Sequence, residues 1–264
     1  MTRSAPTEPP PDLRPPGEKE SGERYLTLME HLSELRYRVF ASSIAVVLGL
    51  VISAAFANRV IDFLEQPAKD RAPADFQFQF IEPFENFVTY FHVALLGGLI
   101  IGMPVIVYQF LRFIAPGLRG SERRWLYGTV VGATGLFLLG VTFAYYVALP
   151  PALDFLLNFN NDLARPNIRL GSYIDFVTRL LFWIGVSFET PLIVMFLGKF
   201  GIVSAGQLLK WWRYAVVIIA VIAAVITPTV DPVTMSLVMA PMIVLYFSGI
   251  VLAFIVQPKK HLIS

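Results

Sequence analysis

Three carboxylates stand where the sequence could do chemistry. Glu34 lies in Met29-Glu30-His31-Leu32-Ser33-Glu34-Leu35-Arg36-Tyr37-Arg38, four residues ahead of an arginine. Glu122 follows Phe113-Ile114-Ala115-Pro116-Gly117-Leu118 and Ser121, and directly precedes Arg123 and Arg124. Carboxylates steadied by neighbouring guanidinium groups can accept paired hydrogen bonds from an incoming arginine. Plainer roles fit the same patterns: Glu34 and Arg38 as an i,i+4 helix pair, Ser121 and Glu122 as the cap and first turn of a helix. The third carboxylate, Glu189, sits in Gly185-Val186-Ser187-Phe188-Glu189-Thr190-Pro191 within an otherwise uncharged run. At the centre of a membrane an acid costs about 2.5–3.5 kcal/mol. Such a residue is kept for a hydrogen bond between helices or for function, and Pro191 adds a freed carbonyl beside it.

Other chemistries are poorly supplied. The chain has no cysteine, which removes disulfides, thiolate metal sites and thiol catalysis. His31, His92 and His261 are scattered, with no helical metal-binding pair. Neither a Gly-x-Ser-x-Gly elbow nor a phosphate-binding loop occurs. The expectation is a protein that is not an enzyme and uses no metal or cofactor. A formal net charge of +2 and the lack of a basic, aromatic-studded stripe argue against nucleic acid as a partner.

The elements that position the carboxylates are apolar. Of 264 residues, 56% are hydrophobic and 15% charged, with a mean hydropathy of +0.63. Six runs stand out: 39–56, 87–111, 125–149, 180–198, 214–226 and 233–256. A helix needs about 20 apolar residues to cross a bilayer. The pattern predicts an all-α polytopic membrane protein with six transmembrane helices, the 13-residue fifth run relying on its flanks. Leu28, Leu32, Leu35 and Val39 repeat at helical spacing and predict an amphipathic lead into the first span. Gly98/Gly102 and Gly128/Gly132 have the spacing of close helix packing. Pro67 and Pro104 suit turns or kinks.

Residues 1–24 carry six prolines among mixed charges and predict a disordered cytoplasmic tail. The membrane domain is expected over 25–258, with a short cytoplasmic C-terminus at 259–264. Eleven basic residues flank the spans on one side and six on the other, where most of the acids lie. Basic residues are retained on the cytoplasmic side, so both termini are expected there.

In order along the chain, His31 to Arg38, Phe113 to Leu118, Glu122-Arg123-Arg124, Gly185 to Pro191 and Thr227-Pro228 through Asp231 resemble the TatC family, receptors of the twin-arginine protein translocase. The resemblance covers about Tyr25 to Pro258. It implies a concave, glove-like bundle in the cytoplasmic (inner) cell membrane, both termini inside. It further implies that Glu34 and Glu122 recognise the paired arginines of a signal peptide, bordered by Arg36, Arg38, Phe113 and Arg124. Glu189 matches an acidic residue in the membrane cavity linked to partner helices, and Pro67, Pro104, Pro116 and Asp231 match further family positions. Four residues after the aspartate the family often has glutamine; this chain has Met235. Implied partners are TatA-type and TatB-type single-span subunits, signal peptides of folded cargo, membrane lipid and further copies of the chain. A proton-coupled transporter of a small solute, with Glu189 as the coupling carboxylate, is the alternative from another class. The two halves, with spans of 18, 25 and 25 against 19, 13 and 24 residues, do not echo each other as inverted repeats would.

Overall fold

The computed structural model describes residues 18–72, 76–114, 123–158, 168–199, 201–227 and 232–257. Its helices are α1 (Glu18–Ala54), α2 (Ala57–Lys69), α3 (Glu85–Ile114), α4 (Arg123–Phe143), α5 (Leu149–Asn158), α6 (Leu170–Lys199), α7 (Ala205–Lys210), α8 (Trp212–Ile226) and α9 (Pro232–Val256). Among the described residues five stretches are long and apolar enough to cross a membrane: His31–Ala54, Glu85–Phe113, Leu126–Leu157, Leu170–Lys199 and Pro232–Val256. Trp212–Ile226 is a shorter apolar helix. At 1.5 Å per residue it reaches about 22 Å, short of a core of about 30 Å. These six are the spans expected from the apolar runs.

The N-terminal boundary differs from the expectation. Helix α1 begins at Glu18, inside the segment read as a disordered tail. The last proline of that segment is Pro16, and the following Glu-Lys-Glu-Ser-Gly-Glu-Arg is mostly good helix formers. Residues 1–17 and 258–264 lie outside the described residues.

The spans pack in the order α1–α3–α4–α6–α9–α8, with α3 also touching α6. Lipid offers no hydrophobic drive for helices to associate, so small residues that let backbones approach matter most. The three tightest crossings show this. A Cβ on Gly98 would stand 2.6 Å from the Leu50 nitrogen. One on Gly140 would stand 2.9 Å from Gly185 Cα, where α4 meets α6. One on Gly249 would stand 3.1 Å from Pro191 Cα, where α9 meets α6. Gly98/Gly102 thus packs as its spacing predicts. Gly128 and Gly132 do not: nothing lies within 4 Å of a Cβ added to either, because they face away from the bundle.

Helix α2 caps one end. It buries Ala57, Ile61, Leu64, Pro67 and Ala68 against the core. Pro67 has no N–H, so the Phe63 carbonyl loses its helical donor. The Tyr145 hydroxyl replaces it, donating to Phe63 O at 2.7 Å, while Tyr173 donates to Leu64 O at 2.6 Å. Tyr145 is carried on a π-helical turn, Ala144–Ala148, that joins α4 to α5. One residue beyond that turn come Pro150 and Pro151, whose missing N–H groups interrupt the α ladder. Tyr145→Phe is expected to lower stability by about 1 kcal/mol. In a Pro67→Ala background, where an N–H returns to Phe63 O, the same change should cost clearly less. Thermal unfolding of the four proteins in detergent measures the difference, and equal costs in both backgrounds would refute the pairing.

The loop before α3 is sewn down by Glu85. Its buried carboxylate accepts from Ile81 N (2.9 Å), Glu82 N (3.2 Å), Gly171 N (2.8 Å) and Arg169 Nη2 (3.3 Å). Arg169 also meets Glu82 at 3.0 Å. The hydrogen bond it donates to Glu85, then the one it donates to Glu82, hold its guanidinium pKa above the ordinary value. Backbone bonds Gln79 N to Ile168 O and Leu170 N to Gln79 O complete a single parallel bridge. At Gly171 a Cβ would fall 2.7 Å from the Glu85 side chain, so the clasp needs glycine there.

After α6 the chain turns on Gly201, at φ 69°. Gly201 N bonds Gly198 O and Ile202 N bonds Leu197 O, the pairing of a Schellman stop. Ser204 and Gln207 then form a capping box that starts α7.

Candidate functional site

Two polar positions stand out against the apolar bundle. The first lies where α1 crosses the end of α3. Arg38 Nη2 donates to Glu34 Oε1 at 2.7 Å, and its Nη1 donates to Gln109 Oε1 at 3.0 Å. The guanidinium therefore ties the two helices together and fixes the carboxylate from behind. Arg38 is 12% exposed and Glu34 30% exposed. Among the described residues none donates to Glu34 Oε2, which remains open to a further cation. One turn earlier, the His31 ring stacks on Phe113 at 4.4 Å.

Below this pair runs a groove of about 470 Å³ between α1 and α3. Arg38 and Gln109 stand at its polar end; Val39, Val46, Val47, Ile106 and Phe110 line the rest. Such a groove offers an anion beside an apolar trough, the complement of a cationic peptide segment followed by an apolar one. Arg36, in contrast, is exposed and makes no contact within this pair.

The second position is Glu189 on α6. It is 5% exposed, and its Oε1 is buried without a hydrogen-bond partner among the described residues. It borders a cavity of about 280 Å³ whose other walls are apolar, among them Met103, Phe110, Phe137, Phe182 and Leu192. Glu189 lies ten residues before the end of α6 at Lys199, about 15 Å along the axis. That is close to half the thickness of a hydrocarbon core. A buried acceptor in such walls is costly while it lacks a donor, and so it is suited to receive one from an incoming helix.

The sequence-derived candidates divide accordingly. Glu34, Arg38 and Phe113 share the α1–α3 end, and Arg36 is on the same helix turned outward. Glu122, Pro116 and Asp231 lie outside the described residues, and Arg124 is described only as part of α4. Met235 packs against the core in the first turn of α9. It is not brought to Glu189. Pro191, two residues after Glu189, packs against Gly249 of α9, and Met235 precedes Gly249 by fourteen residues, about 21 Å of helix. Pro67 and Pro104 lie inside α2 and α3.

Sequence reasoning missed Gln109, His31 and Glu85. A lone amide inside a 25-residue apolar run was the available signal for Gln109. Among the described residues no group of three or more His, Asp or Glu side chains is placed to hold a metal.

Comparison with known proteins points one way. Residues 30–241 match the family described as Sec-independent protein translocase protein (TatC). The chain is 39% identical to the chloroplastic TATC of Arabidopsis thaliana over 237 residues, which are 90% of this chain and 69% of that one. It is 36% identical to TatC of Koribacter versatilis, over 89% of this chain and 88% of the relative. A crystal structure of the twin-arginine translocase receptor TatC superposes with a TM-score of 0.79 at 37% identity, covering 86% of this chain and 99% of that chain. A second, in DDM, gives 0.78 at 38% identity, with coverages of 84% and 99%.

Proposed function

Because this chain belongs to the TatC family of Sec-independent protein translocases, we propose that it binds twin-arginine signal peptides of folded proteins and organises single-span partner subunits for their export. It is a membrane component of the translocase and not an enzyme. The observation that carries the reading is the Glu34 carboxylate, fixed by Arg38 at the mouth of the α1–α3 groove with one oxygen open. Exposed ion pairs contribute little by themselves. Holding the acceptor in place before binding is what makes a charge-assisted pair strong, and the apolar groove supplies contact area for the segment after the arginines. Glu122, which falls between α3 and α4 in the sequence, is the second acceptor in this reading. Arg36, Phe113 and Arg124 border the site.

The excess of basic residues beside this end of the bundle supports placing it, and both termini, in the cytoplasm. The membrane is then the cytoplasmic one. Glu189 and its cavity take a TatA-type or TatB-type helix, and Asp231 and Met235, at the start of α9 in the sequence, belong to a separate partner contact.

The test is photocrosslinking of a twin-arginine peptide to the purified protein. Glu34→Ala together with Glu122→Ala should reduce crosslinking by about tenfold or more, as should a twin-lysine peptide on the unaltered protein. Undiminished crosslinking in the double variant would overturn the assignment.

A further inference from the structure

The Glu189 cavity has a neighbour. Leu99 and Phe182 line both it and a cavity of about 370 Å³ farther along the groove between α3 and α6. The floor of the second is Leu95, Leu96, Leu99 and Phe182, and its rim is His92, Asp175, Thr178 and Arg179. Asp175 accepts from Arg179 through both oxygens, at 3.0 Å from Nε and 2.6 Å from Nη2. His92 Nδ1 stands 3.8 Å from Asp175 Oδ1.

This cluster sits within the membrane-spanning helices. His92 is the eighth residue of α3, and Asp175 and Arg179 are the sixth and tenth of α6. At 1.5 Å per residue they lie about 8–14 Å in from the helix starts. Ionisable groups at such depth are expensive and pair with one another or face a polar neighbour. Asp175 is provided for. Arg179 is 50% exposed, and among the described residues none accepts from its Nη1 or from His92 Nε2. Both residues line the cavity, whose floor is hydrocarbon.

We propose that this cavity is a binding site for one membrane phospholipid with a zwitterionic headgroup. The phosphate is held by Arg179 and His92, the headgroup ammonium faces Asp175, and an acyl chain lies on Leu95, Leu96, Leu99 and Phe182. One arginine stands against one aspartate at the rim, which suits a zwitterion better than an anionic lipid. A lipid also fits the shape of the problem: polar side chains at one end of an apolar slot. The site is separate from the Glu34 groove, and its occupancy does not depend on signal-peptide binding.

Native mass spectrometry of the full chain in detergent tests the proposal, with phosphatidylethanolamine, phosphatidylglycerol and dioleoylglycerol added in turn. One phosphatidylethanolamine should be retained, about tenfold better than dioleoylglycerol, which lacks the phosphate. Soluble glycerophosphoethanolamine should not displace it, because the acyl contacts are missing. His92→Gln, and Asp175→Asn with Arg179→Gln, should each lower retention severalfold while the elution volume and melting temperature stay near those of the parent. The paired change avoids leaving a lone charge that could unfold the protein, and His92→Gln touches no close hydrogen bond. Equal retention of phosphatidylethanolamine by both variants would overturn the site. So would equal retention of all three lipids, displacement by the soluble headgroup, or displacement by a single-span partner peptide bound at His92 and Arg179.

Discussion

Gly98→Leu is expected to abolish the folded protein, whereas Gly128→Leu should leave it unchanged. An added Cβ at Gly98 would meet Leu50 N at 2.6 Å, Leu50 Cα at 2.8 Å and Val46 O at 3.0 Å. All three are backbone atoms, so no side chain can swing aside and α1 itself must move. On the facing side, a Cβ at Gly49 would stand 2.6 Å from Gly98 O, so the crossing is tight from both helices. Overpacking typically costs about 1–3 kcal/mol, and a clash of backbone against backbone belongs at or above the upper end. Helix α1 has little else to hold it: it packs chiefly on α3 and is the least buried of the spans. Pushing it away also separates Arg38 from Gln109 and frees Glu34, so peptide binding should go with the fold. At Gly128 nothing lies within 4 Å, and the change should stay within about 0.5 kcal/mol. Melting temperature in detergent and protease resistance of both variants decide it; a Gly98→Leu protein as stable as its parent would refute the crossing.

Glu189→Lys is expected to eliminate co-purification of single-span partners, with Glu189→Gln retaining most of it and Glu189→Ala falling between. Lysine at this depth costs about 2.5–3.5 kcal/mol, and here its ammonium would face Met103, Phe137, Phe182 and Leu192. Glutamine has the same length and offers both a donor and an acceptor to an incoming helix. Alanine removes the polar atom and leaves a larger apolar cavity, so packing survives while the specific contact is lost. Quantifying TatA-type and TatB-type subunits recovered with a tagged protein ranks the variants. Equal loss with Gln and Ala would show that a carboxylate, and not merely a hydrogen-bonding group, is required.

The spans were readable because hydrocarbon thickness forces a long apolar run on every crossing helix, whatever its neighbours. Glu34 and Arg38 were readable for a similarly local reason, since one helix turn places them side by side. Contacts between distant segments were not. Gln109 meets Arg38 across 71 residues, and Glu85 meets Gly171 across 86. The two glycine pairs make the limit plain. Gly98/Gly102 and Gly128/Gly132 share one spacing, yet a neighbouring backbone faces the first and nothing faces the second. Spacing describes one helix surface; what lies opposite is decided by the other helices. The helical stretch from Glu18 was read as tail because composition averaged over a proline-rich segment concealed the helix formers among residues 18–24.

The order in which the helices meet also bears on how the molecule is made. Interfaces α1–α3, α3–α4 and α4–α6 each join successive spans, so they can close in turn as the chain leaves the ribosome. The next does not follow suit. One flank of α6, with Pro191 and Gly198, is covered by Gly249 and Ala253 of α9, while α8, synthesised in between, packs chiefly on α9. Until the last span is inserted, the helix carrying Glu189 therefore stays open along that flank to whatever the bilayer contains. A nascent chain stalled before Gly249 would hold four correctly joined spans and a bare fifth, the form a membrane protease or an insertion factor would meet.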